Sequence, residues 1–248
     1  MGLLLVLSVT ATLRSRVVPA ADPTPAEILD RIDDLFRGES SHGTATMTVR
    51  TENWSRSLKM EFWSKGKDES LIRILEPKKE KGTATLKSGR DLWNYLPKVK
   101  RVVKLPSSMM SASWMGSHFS NDDLVRETRM VDDYTFEKTF SGARNGVEIL
   151  EITCTPKPEA PVVWGKVVVT VSSENSMPQS IRYYDEDMDL ARTMTYSETK
   201  PLGGRTLPTR IEMQPADEPD ELTVVVYEEI DFDVTLADDT FSLRTLQR

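Results

Sequence analysis

The chain has one cysteine, Cys154, so no disulfide can close within it. It has only two histidines, His42 and His118, 76 positions apart and outside any HExxH, HxH or cysteine-containing context, so no zinc motif is readable. Positive charge is not in excess. Thirty-two Lys and Arg stand against 39 Asp and Glu, a net charge of −7, which argues against nucleic acid as the main partner. No apolar run reaches the roughly 18 residues that a membrane-spanning helix needs. The phosphate-cradling patterns G-x-x-x-x-G-K-[ST] and G-x-G-x-x-G are missing, and so is the G-x-S-x-G elbow that would turn the serines near His118 into a hydrolase site. Asp185-Glu-Asp-Met-Asp lacks the glycine and the closing glutamate of a calcium loop and reads as a turn between strands. Asp122-Asp123 and Asp132-Asp133 read as helix-start and turn acids. Cys154 shares a strand face with Leu150 and Ile152 and reads as a small core residue. No enzyme, no cofactor and no metal are expected.

What is present begins with an apolar segment, Gly2 to Leu13, followed by Val18-Pro-Ala. This is the pattern of a signal peptide, residues 1–21, with cleavage after Ala20 or Ala21. Arg14 and Arg16 follow the apolar run instead of preceding it; a start site further upstream would supply a basic region, and a simple membrane anchor is the alternative. No cysteine lies near the site to be lipidated. Loss of residues 1–21 removes two arginines and no acid, leaving 30 basic and 39 acidic residues and a net charge of −9. The expected location is the periplasm, where a disulfide is permitted but not required.

From residue 22 onward the chain reads as one folded domain, 22–248. Thr24-Pro-Ala-Glu opens the clearest helix, with Thr24 as cap, Pro25 in the first turn and Gly38 past the end. Ile28, Leu29, Ile32, Leu35 and Phe36 form its apolar stripe. From Thr44 the period changes to two: Ala45, Met47 and Val49, then Leu58, Met60 and Phe62, alternate with polar residues. Further strands are read at Leu71–Leu75, Gly82–Leu86, Asp91–Tyr95, Tyr134–Phe140, Val147–Cys154, and in five runs from Lys166 to Phe232. The expected class is mainly β: a single curved antiparallel sheet of about eleven strands. It forms an unclosed half-barrel, covered by the N-terminal helix and a short helical or loop lid.

The stretch Asp91–Glu127 departs from this regularity. Asp91-Leu-Trp-Asn-Tyr-Leu is a strand, with Trp93 and Tyr95 on one face and Leu92 and Asn94 on the other, stopped by Pro97. Lys98, Lys100, Arg101 and Lys104 follow among Val99, Val102, Val103 and Leu105. Then Met109, Met110, Trp114, Met115 and Phe119 stand among serines and other small residues, before a short helix capped at Ser120 or Asn121. That is much apolar surface with no single period. Unbranched methionines suit surfaces that accept varied apolar partners, and long loops in compact domains are often lids. A loop packed on its own core is the plainer reading.

This stretch closely resembles the central signature of the outer-membrane lipoprotein-sorting proteins, a LolA-like family of periplasmic carriers. The resemblance extends from the helix near Pro25 to Phe241-Ser-Leu. It implies an unclosed barrel with a helical lid that takes acyl chains of lipoproteins, or another lipid, between envelope membranes. It also implies an inner-membrane transporter or donor complex as partner, transient membrane contact, and a monomer. The expected ligand-contacting row is Met47, Val49, Met60, Phe62, Trp93 and Tyr95, with Met109, Met110, Trp114, Met115 and Phe119 as cover. Lys98, Lys100, Arg101 and Lys104 are the expected membrane or partner contact, against the plainer reading of a solvated strand face. The lid-contacting arginine of the best-known carriers cannot be placed by motif. The alternative function is a non-transporting envelope module of the same fold that senses lipid or binds a partner protein.

Overall fold

Helix α1 (Pro25–Arg37) forms where capping and apolar periodicity agree. The Thr24 hydroxyl accepts from the Glu27 amide and the Glu27 carboxylate accepts from the Thr24 amide, which satisfies two otherwise orphan donors of the first turn. Gly38 ends it at φ +60°, its amide donating to the Asp34 carbonyl. The computed structural model describes residues 22–126, 130–160 and 162–247; the expected signal peptide, residues 1–21, lies outside the described residues.

The helix leads into a first meander: β1 (Ser40–Arg50), β2 (Ser55–Lys65), β3 (Glu69–Glu76), β4 (Ala84–Ser88), β5 (Asp91–Leu96) and β6 (Arg101–Lys104). A second follows: β7 (Tyr134–Arg144), β8 (Val147–Pro156), β9 (Lys166–Ser172), β10 (Pro178–Tyr184), β11 (Leu190–Leu202), β12 (Arg205–Pro215) and β13 (Leu222–Phe232). All thirteen pair antiparallel in one open sheet, ordered β6-β5-β4-β3-β2-β1-β13-β12-β11-β10-β9-β8-β7. The first strand therefore pairs with the last, and β6 and β7, neighbours in sequence, lie at opposite edges.

The class is as expected and the count is higher. The strand that sequence reading left unassigned is β6. Its four residues, Arg-Val-Val-Lys, are too few for a period to show, and pairing with β5 makes them a strand.

One face of the sheet is concave and carries the main core. Met47 of β1, Met60 of β2, Ile74 of β3, Ile152 and Cys154 of β8, Val169 of β9, Ile181 of β10, Met194 of β11 and Val225 of β13 join one cluster with Ile28, Leu29 and Ile32 of α1. Strands this far apart in the order can share a cluster only because the sheet curls around it. The opposite face holds a smaller cluster. Leu71, Ala84 and Leu86 pack there with Leu246 of the short C-terminal helix (Leu243–Leu246), and Phe241, Trp63, Trp93 and Tyr95 lie against them. Among the described residues no helix is long and apolar enough to cross a membrane.

Gly43 sits where β2 and β13 crowd β1, next to a register shift at Thr44/Ala45. A Cβ there would lie 2.1 Å from the Glu229 carbonyl oxygen and 2.7 Å from Phe62 Cζ. Gly43→Ala is expected to destabilise the fold by about 1–3 kcal/mol, the usual cost of overpacking. Urea denaturation checks this: the midpoint should fall at unchanged slope, and an unmoved midpoint would show that β13 yields freely.

Candidate functional site

Between α1, the concave face and the connection from β6 to β7 lies a cavity of about 240 Å³. Its body is apolar. Leu29, Ile32 and Phe36 come from α1, and Met60, Phe62, Ile72, Met194, Tyr196, Ile211, Val225 and Tyr227 from the sheet. Trp114, Phe119, Leu124, Met130 and Val131 come from the connection. The aromatic rings interlock: Phe36 stacks on Tyr227 at 5.5 Å, and Phe62 meets Tyr227 edge-on at 5.6 Å. One end of the cavity is polar, with Ser41, Ser64, Ser70, Lys67, Asp30, Asp33 and Arg37. Lys67 Nζ meets Asp30 Oδ1 at 2.7 Å across this end, and the bond raises the Lys67 ammonium above the ordinary lysine range. Arg37 Nε meets Asp33 Oδ1 at 3.0 Å.

The structure brings together part of the expected row. Met60, Phe62, Trp114 and Phe119 line the cavity. Met47 and Val49 are fully buried in the same core without lining it, and Met115 packs against that core. Met110 packs with Leu92 and Leu105, while Met109 is exposed. Trp93 and Tyr95 require a correction. They pair with Leu86 and Ala84 and lie on the other face, in the cluster under Leu246 and Phe241. The alternation within β5 was legible, but the face turned to the cavity carries Leu92 and Asn94, because the C-terminal segment supplies a second apolar cover. Lys104 lies over Trp93 at 5.4 Å and bonds Asp91 at 2.6 Å, whereas Lys98, Lys100 and Arg101 surround the β5–β6 turn with exposed Leu96 and Val99.

Four strands hold the connection down. Trp114 is buried and its Nε1 donates to Thr85 Oγ1 of β4 at 3.1 Å, so its one polar atom is satisfied. Arg56 of β2 donates to the Met115 carbonyl. The backbone there turns through left-handed values, Met115 at φ +52° and Gly116 at φ +68°. His118 donates its amide to Thr223 Oγ1 of β13 at 3.0 Å, and its ring Nδ1 lies 2.8 Å from the same oxygen. The last tie is Arg192 of β11, whose guanidinium takes both oxygens of Asp123, Nη1 to Oδ2 at 2.8 Å. Arg192 Nη1 also bonds the His118 carbonyl at 3.1 Å, and the rings of Trp164 and Tyr183 flank the guanidinium at 4.5 and 4.6 Å. Ser120 and Asp123 cap the short helix α2 (Asp123–Arg126) reciprocally.

Sequence reading took Asp123 for a helix-start acid, which it is, and missed its partner. The one signal for Arg192 was parity: it shares a strand face with Met194 and Tyr196, so it had to point inward. Cys154 is buried, and burial pushes its thiol up to about 12, which leaves no thiolate nucleophile at neutral pH.

Both partners of the Arg192–Asp123 pair are 8% exposed, so cutting one leaves a buried charge alone. Asp123→Ala is expected to cost about 3–5 kcal/mol in chemical denaturation. Replacing both residues by apolar ones, Asp123→Leu with Arg192→Met, should cost less than the single change. Equal costs for the single and double variants would show that the charges are not what couples these positions.

A family model described as "Uncharacterized protein"-like matches residues 66–248. No curated protein matches the chain. Three crystal structures share the fold. A DUF1329 family protein from Desulfovibrio piger superposes with TM-score 0.81 at 24% identity, over 89% of this chain and 97% of that one. A protein described as an outer membrane lipoprotein-sorting domain, from Vibrio parahaemolyticus, gives 0.77 at 23%, over 90% and 98%. A LolA superfamily protein from Nitrosomonas europaea gives 0.76 at 24%, over 90% and 100%. The chain thus belongs to the family that the matching model describes, and its fold is the one that these three structures share.

Proposed function

We propose that this protein is a periplasmic carrier that holds acyl chains, of a lipoprotein or another lipid, in the covered cavity and shuttles them between envelope membranes. The observation that carries the reading is the cavity itself: an apolar, aromatic-lined body with a charged and hydroxyl-rich end suits an amphiphile whose chain lies inside and whose headgroup stays near Lys67 and Asp30. The fold shared with a protein described as an outer membrane lipoprotein-sorting domain supports it. No covalent step is needed, only apolar area and a way to open.

The size of the cavity adds a mechanism. Its volume of about 240 Å³ lies below the roughly 300–1,000 Å³ usual for small-molecule sites. Loading therefore displaces the connection that forms its cover. Each methylene buried is worth about 0.8 kcal/mol, so the chain itself drives the displacement. Delivery to the cavity uses the β5–β6 turn. Lys98, Lys100 and Arg101 carry its charge, and Val99, 59% exposed, and Leu96 carry its apolar surface. Cations near an anionic membrane are worth roughly 1 kcal/mol each, enough for reversible contact with a lipid surface or an inner-membrane donor complex.

Phe62→Asp is expected to abolish uptake of a fluorescent fatty-acyl probe with the far-UV spectrum largely unchanged. Unchanged uptake would remove the cavity from the proposal and leave a module that binds a partner protein. Native mass spectrometry after gentle purification separates the same two readings, since a carrier retains lipid and a partner-binding module does not. Reversing Lys98, Lys100, Arg101 and Lys104 to Glu is expected to slow loading from anionic liposomes, and added salt should slow the unmodified protein likewise. If loading responds to neither change, the run is a solvated face.

A further inference from the structure

No ligand partner for His118 is readable near it in the sequence, and the fold supplies two from 100 and 103 positions away. The turn between β12 and β13 brings Glu218 and Glu221 beside it, so that one donor atom from each of His118, Glu218 and Glu221 lies within 4.8 Å of the others. His118 Nε2 is 3.1 Å from Glu221 Oε2.

We propose that His118, Glu218 and Glu221 form a divalent-cation site that staples the cover of the cavity to the β12–β13 turn. The inference does not rest on the lipid-carrier reading, because a cation can bind here whatever the cavity holds.

Two features distinguish this cluster from a chance gathering of surface acids. The first is that the atoms that would not touch the ion are already held. His118 Nδ1 lies 2.8 Å from Thr223 Oγ1, which orients the ring and leaves Nε2 for the ion. Glu221 Oε1 accepts the Glu52 amide at 3.1 Å, which leaves Oε2 for the ion. Metal sites are built in this way, with each ligand fixed by a partner behind it. The second feature is charge. The Glu218 and Glu221 carboxylates offer oxygens within 4.8 Å of each other, and a cation between them would relieve their mutual repulsion.

An imidazole with two carboxylates is a borderline donor set that suits zinc among the common cations. Bonds of about 2.0–2.2 Å put tetrahedral donors about 3.3–3.6 Å apart, so donors within 4.8 Å of one another must adjust to that spacing, the 3.1 Å His118–Glu221 pair opening slightly. Glu218 is exposed on its turn, so the adjustment falls on a side chain bordered by solvent. Water would fill the remaining position. The mechanical result follows from the chain path: His118 belongs to the β6–β7 connection and the two glutamates to the turn between β12 and β13, so an ion between them ties the cover to that turn.

Titration of the protein with Zn²⁺ by calorimetry is the test. One ion per chain should bind, with a rise in melting temperature and slower hydrogen exchange across residues 114–123. Glu218→Gln, on an exposed turn, should leave the metal-free melting temperature unchanged and weaken binding at least about tenfold. His118→Asn should do the same or more, while His42→Ala leaves the stoichiometry at one. Binding that survives both Glu218→Gln and His118→Asn would overturn the proposal, as would the absence of saturable binding. One bound ion without any slowing of exchange across residues 114–123 would keep the site and overturn the staple.

Discussion

The chain leaves the sheet at one edge and must re-enter at the other. With β6 and β7 at opposite ends of a thirteen-stranded order, the distance along the sheet is twelve strand spacings, on the order of 58 Å. Residues 105–133 cover that gap. A connection obliged to cross from edge to edge runs over a face, and the concave face is the shorter way. Curl, cover and cavity are therefore one fact about connectivity. The sheet curls around the core of α1, the crossing segment closes the remaining opening, and the space they fail to fill is the cavity. The same constraint explains why apolar residues in the crossing segment show no period: each is placed by what lies beneath it.

A cover of this kind must be held and must also yield. Its apolar anchors, Trp114, Phe119 and Leu124, are in contact with the space that a ligand would occupy. Its polar anchors are the bonds to Thr85, Thr223 and Arg192, of which the last engages Asp123 at the cavity wall. An acyl chain entering the cavity can replace the apolar contacts with its own, at about 0.8 kcal/mol per methylene, so about ten methylenes supply on the order of 8 kcal/mol. The polar ties have no such substitute inside the cavity. Opening the Arg192–Asp123 pair into water costs less than deleting one partner, because both charges regain solvent. In the proposed carrier the apolar contacts are exchanged for ligand, whereas the polar ones set the threshold for opening and the register to which the cover returns.

How much of this could be read in the chain depends on the range of each interaction. Helix α1 was legible because Thr24, Pro25, Glu27 and Gly38 act within a few residues of one another. The strands were legible because alternation is local, and Cys154 fell in the core as its face required. The concave direction was not legible in β5, since Trp93 and Tyr95 look more like cavity residues than Leu92 and Asn94 do. What decided it was Leu246 and Phe241, some 150 positions away, packing on the aromatic side. The ties to the cover failed for the same reason. Asp123 and Arg192 are 69 positions apart, and His118 and Glu221 are 103. Residue types announce that a charge needs a partner; only the order of strands says which.

An open sheet also has the problem that both its edges present unpaired backbone groups, which invite pairing with another chain. β6 answers by being short and flanked by Lys98, Lys100 and Arg101 after Pro97. β7 answers with a register shift between Lys138 and Phe140, which breaks the straight ladder a second sheet would need. The cations at β6 therefore have a use that requires no membrane at all. The two uses differ in their dependence on sign. Keeping a neighbouring sheet away requires charge of either sign, because two copies of the same edge repel in both cases. Attraction to an anionic surface requires positive charge, on a chain whose overall charge is −7. Lysines are the usual guards of a sheet edge, so the positive sign of this edge fits both uses, and it is the response of loading to charge reversal and salt that separates the proposed contact with an anionic surface from edge protection alone.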